Sequence, residues 1–169
     1  MSGFFIVPAT RGELCRQVGN PFRGIHILNL DSKGRVAIPA CHRADLGGTR
    51  LVATIAIDNR CLWLYPWRQW QALERQLLAL SSLNRRSRRL QRLLIGHAQE
   101  GELDGQGRFL LSTPLRKYAN LTKSVALVGV GAKFEIWDEE AWDVRRNVWM
   151  EEESLEDLAA SPDLNDLQL

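Results

Sequence analysis

Leu30-Asp31-Ser32-Lys33-Gly34-Arg35 returns 73 residues later as Leu103-Asp104-Gly105-Gln106-Gly107-Arg108. An internal repeat constrains the fold strongly, because both copies must build the same unit and then share a core. The likeness continues downstream. Val36-Ala37-Ile38-Pro39 and Arg43 follow the first copy, and Phe109-Leu110-Leu111-Ser112 and Arg116 follow the second. Leu64-Tyr65 and Trp70 then match Ile136-Trp137 and Trp142 at an offset of 72, so small loop differences separate the copies. Three matched blocks in one order are hard to obtain by chance.

Each copy reads as the same string of elements. A strand, Gly24 to Leu30 or Gln99 to Leu103, runs into Asp-x-x-Gly. Asp at the first and Gly at the fourth position favour a type I turn. The Gly can then adopt a left-handed conformation and close a three-residue hairpin. The return strands are Arg35 to Ile38 and Arg108 to Leu111. A short helix follows, with Pro39 and Pro114 suited to its first turn, Ser112 or Thr113 as a cap, and Gly47 and Asn120 near its end. A second hairpin pairs Leu51–Ile57 with Cys61–Tyr65, and Val125–Val130 with Phe134–Trp137. A helix closes each copy, the first from near Pro66, the second capped by Asp138 with Glu139 and Glu140 in its first turn. Trp67 to His97 reads as helix broken near Ser81–Asn84, with Leu90, Leu93 and Leu94 as its buried stripe.

The expected organisation is an extension over residues 1–21, a first repeat over 22–80, an Arg-rich connecting helix over 81–98, a second repeat over 99–150 and an acidic tail over 151–169. A module of about half this length is marginal alone, so two should lean on each other or on other subunits.

Charge is distributed unevenly along the chain. Residues 151–169 hold seven acids and no Lys or Arg, and the rest carries 22 basic against 13 acidic residues. A basic body favours a polyanionic partner. Eighteen of the basic residues are Arg, suited to bidentate recognition of phosphate or guanine, although a high-GC genome that encodes Arg in place of Lys gives the same composition. The apolar run Phe4 to Val7 is too short for a signal peptide or a membrane span. Three cysteines without a Cys-x-x-Cys pair point to a reducing, cytoplasmic setting.

The turns carry the candidate chemistry. Arg35 and Arg108 sit beside a tight loop, where a guanidinium can reach a groove floor and offer its fork to guanine O6 and N7. Asp31 and Asp104 can orient that Arg or cap their own turn, and capping is the favoured role. Gly34 and Gly107 shape the turns. Lys33 would contact phosphate; Gln106 replaces it in the second copy, so the two need not bind equally. The bland alternative is a plain hairpin with a solvated Arg.

Other features read less sharply. Arg85, Arg86, Arg88, Arg89 and Arg92 form either a phosphate-positioning surface or a solvated or intersubunit face partnered by the acidic tail, the second being favoured. The six Trp can stack on bases, but their places at strand ends and on closing helices favour a core or subunit interfaces. His26, His42 and His97 share no metal-ligand spacing, and Cys41-His42 is adjacent rather than spaced, so no metal or cofactor is expected. No Gly-x-Ser-x-Gly, P-loop or His-Glu-x-x-His motif occurs, and no acid–base pair is activated, so an enzyme is not expected.

Phe22-Arg23-Gly24, the two Asp-x-x-Gly-Arg turns, and the Tyr65-Pro66 and Trp70 ending resemble the MraZ family over about residues 22–150. The resemblance implies an α+β, β-rich fold. Two tandem modules related to AbrB-type swapped-hairpin proteins would form a pseudo-two-fold β-barrel with peripheral helices. It implies a bacterial transcriptional regulator of the division and cell-wall gene cluster and of its own promoter, placed in the cytoplasm at the nucleoid. It implies rings of more than four subunits on G-rich direct repeats of double-stranded DNA, with no membrane and no small-molecule substrate. The family's Asp-x-x-x-Arg motif falls on Asp31 with Arg35 and on Asp104 with Arg108. Ser112 departs from the Pro at the matching position of the first copy. The rival reading is an antitoxin-like or scaffold protein without promoter-specific binding.

Overall fold

The computed structural model describes residues 21–152. The first copy contains β1 (Ile25–Asn29), β2 (Arg35–Ala37), α1 (Ala40–Arg43) running into a 3-10 turn at Ala44–Leu46, β3 (Arg50–Ile55), β4 (Leu62–Pro66) and α2 (Trp67–Ala79). Helix α3 (Arg85–Leu94) connects the copies. The second contains β5 (Gln99–Glu102), β6 (Arg108–Leu110), α4 (Thr113–Tyr118), β7 (Ser124–Gly129), β8 (Phe134–Asp138) and α5 (Glu139–Glu152). The fold is α+β, with every strand pairing antiparallel.

The local expectations hold at most element ends. Asn84 starts α3 by accepting the amides of Arg86 and Ser87, which fixes the break expected near 81–84. Asp138 starts α5 by accepting the Ala141 amide at 3.4 Å. Gly47 ends the first short helical stretch at φ 67°, and Asn120 lies just past α4 at φ 51°. Pro114 sits in the first turn of α4, whereas Pro39 stands just before α1. Ser112 precedes α4 without a side-chain cap; its amide instead donates to Gln99 Oε1 at 2.8 Å. Helix α5 reaches Glu152, so the first two acids of the tail are helical.

Strand pairing departs from the two simple hairpins. The Asp31 and Asp104 turns close as expected, but β1 does not continue along β2, nor β5 along β6. Instead β1 pairs with β7 of the second copy, β5 pairs with β3 of the first, and β2 pairs with β6. The larger sheet has the order β1-β7-β8-β4-β3-β5, which reads the same from either end when the copies are exchanged. The register keeps that symmetry: Val36 faces its counterpart Phe109, and Trp63 faces its counterpart Glu135. Because the copies are alike, a strand finds in the other copy a partner equivalent to its own.

One core lies between the six-stranded sheet and the β2–β6 ribbon. Val36, Ile38, Phe109 and Leu111 pack there with Leu51, Ala53, Leu62, Leu64, Val125, Leu127, Phe134 and Ile136. Truncating a buried aromatic such as Phe109 costs about 3–5 kcal/mol in such a core. Gly101 in β5 makes room for it, since a Cβ there would lie 2.9 Å from the Phe109 ring. The other face of the sheet carries two aromatic clusters. Trp70 of α2 packs with Val52 and Tyr65, and Trp142 of α5 packs with Trp137, Ala126 and Val128. The six Trp therefore pack in these two clusters, Trp67, Trp70, Trp142 and Trp149 from the closing helices and Trp63 and Trp137 from β4 and β8. Helix α3 adds Leu94, whose carbonyl accepts the buried Thr54 hydroxyl at 2.7 Å. No helix among the described residues is long and apolar enough to cross a membrane.

Candidate nucleic-acid interface

Pairing of β2 with β6 brings the two Asp-x-x-Gly-Arg turns together. Each turn is built identically. Asp31 Oδ1 accepts the amides of Lys33 and Arg35 at 2.9 and 3.0 Å, and Asp104 Oδ1 accepts those of Gln106 and Arg108 at 3.0 Å each. Gly34 and Gly107 adopt φ 81° and 74°, and their amides donate to the Asp31 and Asp104 carbonyls. Their own carbonyls accept the Leu111 and Ile38 amides, so each turn is tied to the other copy's return strand.

The second carboxylate oxygens hold the arginines. Arg35 Nε donates to Asp31 Oδ2 at 2.7 Å, and Arg108 Nε to Asp104 Oδ2 at 2.8 Å. The pairs also cross between copies: Arg35 Nη1 lies 3.4 Å from Asp104 Oδ2, and Arg108 Nη1 lies 3.6 Å from Asp31 Oδ2. Asp therefore both caps its turn and orients an Arg. The turn-capping bonds from Arg35 and Lys33 and the adjacent guanidinium lower the Asp31 pKa from its ordinary 3.8 to about 2, the Arg35 amide contributing most. Asp104 is lowered by the equivalent bonds, that from the Arg108 amide first. Arg35 and Arg108 are not free loop tips: their side chains are 25% and 27% exposed. At that exposure part of each side chain still reaches solvent.

Two further arginines complete the face. Arg43 lies over Gly107 and Arg116 over Gly34, each crossing to the other copy's turn; a Cβ on Gly34 would stand 2.6 Å from the Arg116 guanidinium. Arg43 Nε donates to the Ile38 carbonyl at 2.8 Å, and Arg116 Nε to the Leu111 carbonyl at 3.1 Å. Neither has a carboxylate within salt-bridge distance among the described residues. The repeat already matched these two positions, and that match was the signal for a shared role. Lys33 is exposed beside the first turn, as Gln106 is beside the second.

Arg85, Arg86, Arg88, Arg89 and Arg92 line one groove on α3. None has a carboxylate within salt-bridge distance among the described residues, and residues 153–169 of the acidic tail lie outside them. His26, Cys41 and His42, unrelated by spacing along the chain, are brought together beside α1. Burial, then His26, lowers the His42 pKa.

Fold and site together define a two-module, strand-exchanged α+β protein with a symmetric Asp–Arg turn face. The family model described as "MraZ protein, putative antitoxin-like" matches residues 22–93 and 94–161. The chain is 53% identical over 140 residues to "Transcriptional regulator MraZ" of Methylococcus capsulatus, covering 81% of this chain and 91% of that one. It is 48% identical over 151 residues to the protein of the same name from Halorhodospira halophila, covering 88% and 99%. The chain belongs to the MraZ family. Its relatives carry the name of a regulator, in agreement with the reading that it is not an enzyme.

Proposed function

We propose that this protein is a sequence-specific DNA-binding transcriptional regulator whose paired Asp-x-x-Gly-Arg turns form the reading head. The observation that carries the proposal is the four-residue cluster of Asp31, Arg35, Asp104 and Arg108, held on paired strands of both copies. Two acids offset two Arg there, while Lys33, Arg43 and Arg116 remain as positive charge around them. Such an arrangement separates the two tasks of DNA recognition. Arg43 and Arg116 position the protein on phosphates, and Arg35 and Arg108, already fixed in rotamer by Asp, present their remaining N–H groups to guanine edges. Prior ordering by Asp reduces the entropy lost when the Arg engages a base.

The operator in this reading is a set of G-rich direct repeats, as the family resemblance implies, upstream of the chain's own gene and of the division and cell-wall cluster, in the cytoplasm at the nucleoid. One chain offers few base contacts, each worth about 1–3 kcal/mol of discrimination. A ring of more than four copies on a repeated site raises the affinity through effective concentration. The strand exchange supports closure of the two modules into a pseudo-two-fold barrel. The edge strand β1 supports assembly, because it carries half-exposed Ile25 and Ile27.

The test is a gel shift of the full chain on its own upstream DNA and on a shuffled duplex across a salt series. Preference for the native duplex that survives added salt is expected. Equal binding to both duplexes, or none, would favour the antitoxin-like or scaffold reading.

A further inference from the structure

We infer that His26, Cys41 and His42 form a binding site for a borderline-soft divalent cation of the zinc class. The Nε2 atoms of His26 and His42 stand 3.0 Å apart, and the Cys41 Sγ joins them in a group of donor atoms all within 4.8 Å of one another. Zinc takes imidazole at about 2.0–2.1 Å and thiolate at about 2.3 Å, which sets tetrahedral donors roughly 3–4 Å apart. Small movements of exposed Cys41 and of the two rings satisfy that spacing. Two imidazoles and a thiolate form a donor set that selects zinc-like ions over magnesium or calcium, and water fills the fourth position.

The surroundings suit a ligand site. His42 packs edge-on against Phe22 and Phe134, at centroid distances of 5.9 and 5.2 Å, so its ring is walled by apolar groups.

The repeat supplies an internal control. At the positions matching His26, Cys41 and His42 the second copy has Gln99, Pro114 and Leu115. Leu115 is buried in the shared core and Gln99 bonds the Leu110 carbonyl, so the fold needs no histidine or cysteine at either place. Three metal-type donors therefore replace ordinary residues in one copy only, and they converge. Binding would tie α1 to β1 next to Arg43, and the Cys41 proton would leave to solvent as the thiolate forms.

The experiment uses the full chain carrying Cys15→Ser, so that Cys41 is the accessible thiol, Cys61 being buried. Cobalt(II) is added as a spectroscopic probe, and zinc affinity is measured by competition with a chromophoric chelator. One ion per chain and a thiolate-to-cobalt charge-transfer band are expected. Cys41→Ser should abolish the band, and His26→Gln and His42→Leu, which copy the second module, should each weaken zinc binding by about tenfold or more. Zinc should also protect Cys41 from alkylation. Absence of uptake at micromolar metal, or uptake unchanged in all three variants, would overturn the proposal.

Discussion

Arg35 reaches across the boundary between the two repeats, its Nη1 lying 3.4 Å from Oδ2 of Asp104. The mirror contact of Arg108 with Asp31 makes the two turns one charged unit rather than two independent loops. That unit is a structural staple between the copies and, in the function proposed, the part that reads DNA.

Acid should loosen the staple in a defined window. Asp31 is lowered from 3.8 to about 2 in the folded protein. A lowered carboxyl contributes its stabilisation above the unfolded value and loses it as pH falls through the folded value. Asp31→Asn retains the turn-capping oxygen but not the charge. Urea unfolding should therefore find the native chain more stable than this variant at neutral pH, with the gap closing between about pH 4 and pH 2. A gap independent of pH would mean that the carboxylate charge is not what stabilises the turn.

Gly34 and Gly107 should not tolerate a side chain. Both combine positive φ with a guanidinium where Cβ would sit. Gly34→Ala should cost about 1–3 kcal/mol in denaturant unfolding. Gly105, one residue before Gln106, has open space around it and should accept Ala at almost no cost. Equal costs at Gly34 and Gly105 would contradict the turn geometry.

Much of this was legible in the repeat. Asp-x-x-Gly, the helix break near Ser81–Asn84 and the Asp138 cap are local signals, and each element formed near its expected place. Strand partners were not legible, because a strand sequence specifies a face and not the neighbour beside it. With two similar copies the choice between self and other is close to degenerate: the residues left the partners open, and only the likeness to swapped-hairpin proteins pointed to the exchange seen in the sheet. The same limit hid the two Arg that cross to opposite turns and the approach of His26 to Cys41 and His42, 15 and 16 residues away. The double role of Asp was open in sequence, since one oxygen suffices to cap a turn.

The acidic segment should moderate non-specific binding. Five Arg of α3 line a groove without a carboxylate partner among the described residues, and 153–169 hold five acids. Deleting 153–169 should strengthen binding to random duplex at low salt, and Arg88→Ala should weaken it evenly across sequences. Unchanged affinity after the deletion would place the segment away from the DNA face.

Assembly should exceed a tetramer. Light scattering at micromolar concentration should find a species of more than four chains; a stable monomer would contradict the ring.

The central claim is that Arg35 and Arg108 read the operator. The most direct measurement is the affinity of Arg35→Ala, Arg108→Ala and the double variant for the native upstream duplex and for a shuffled one. Unfolding and light scattering run alongside to confirm that fold and assembly persist. Each single change should cost about 1–3 kcal/mol per lost contact on the native duplex and much less on the shuffled one. The double change should remove the preference almost entirely, because every copy in the assembly carries it. Arg11→Ala should leave binding unchanged. Even weakening on both duplexes, with a shallower salt dependence, would make these Arg phosphate contacts instead. A double variant that still binds the native duplex with full affinity and preference would show that the turns are not the reading head.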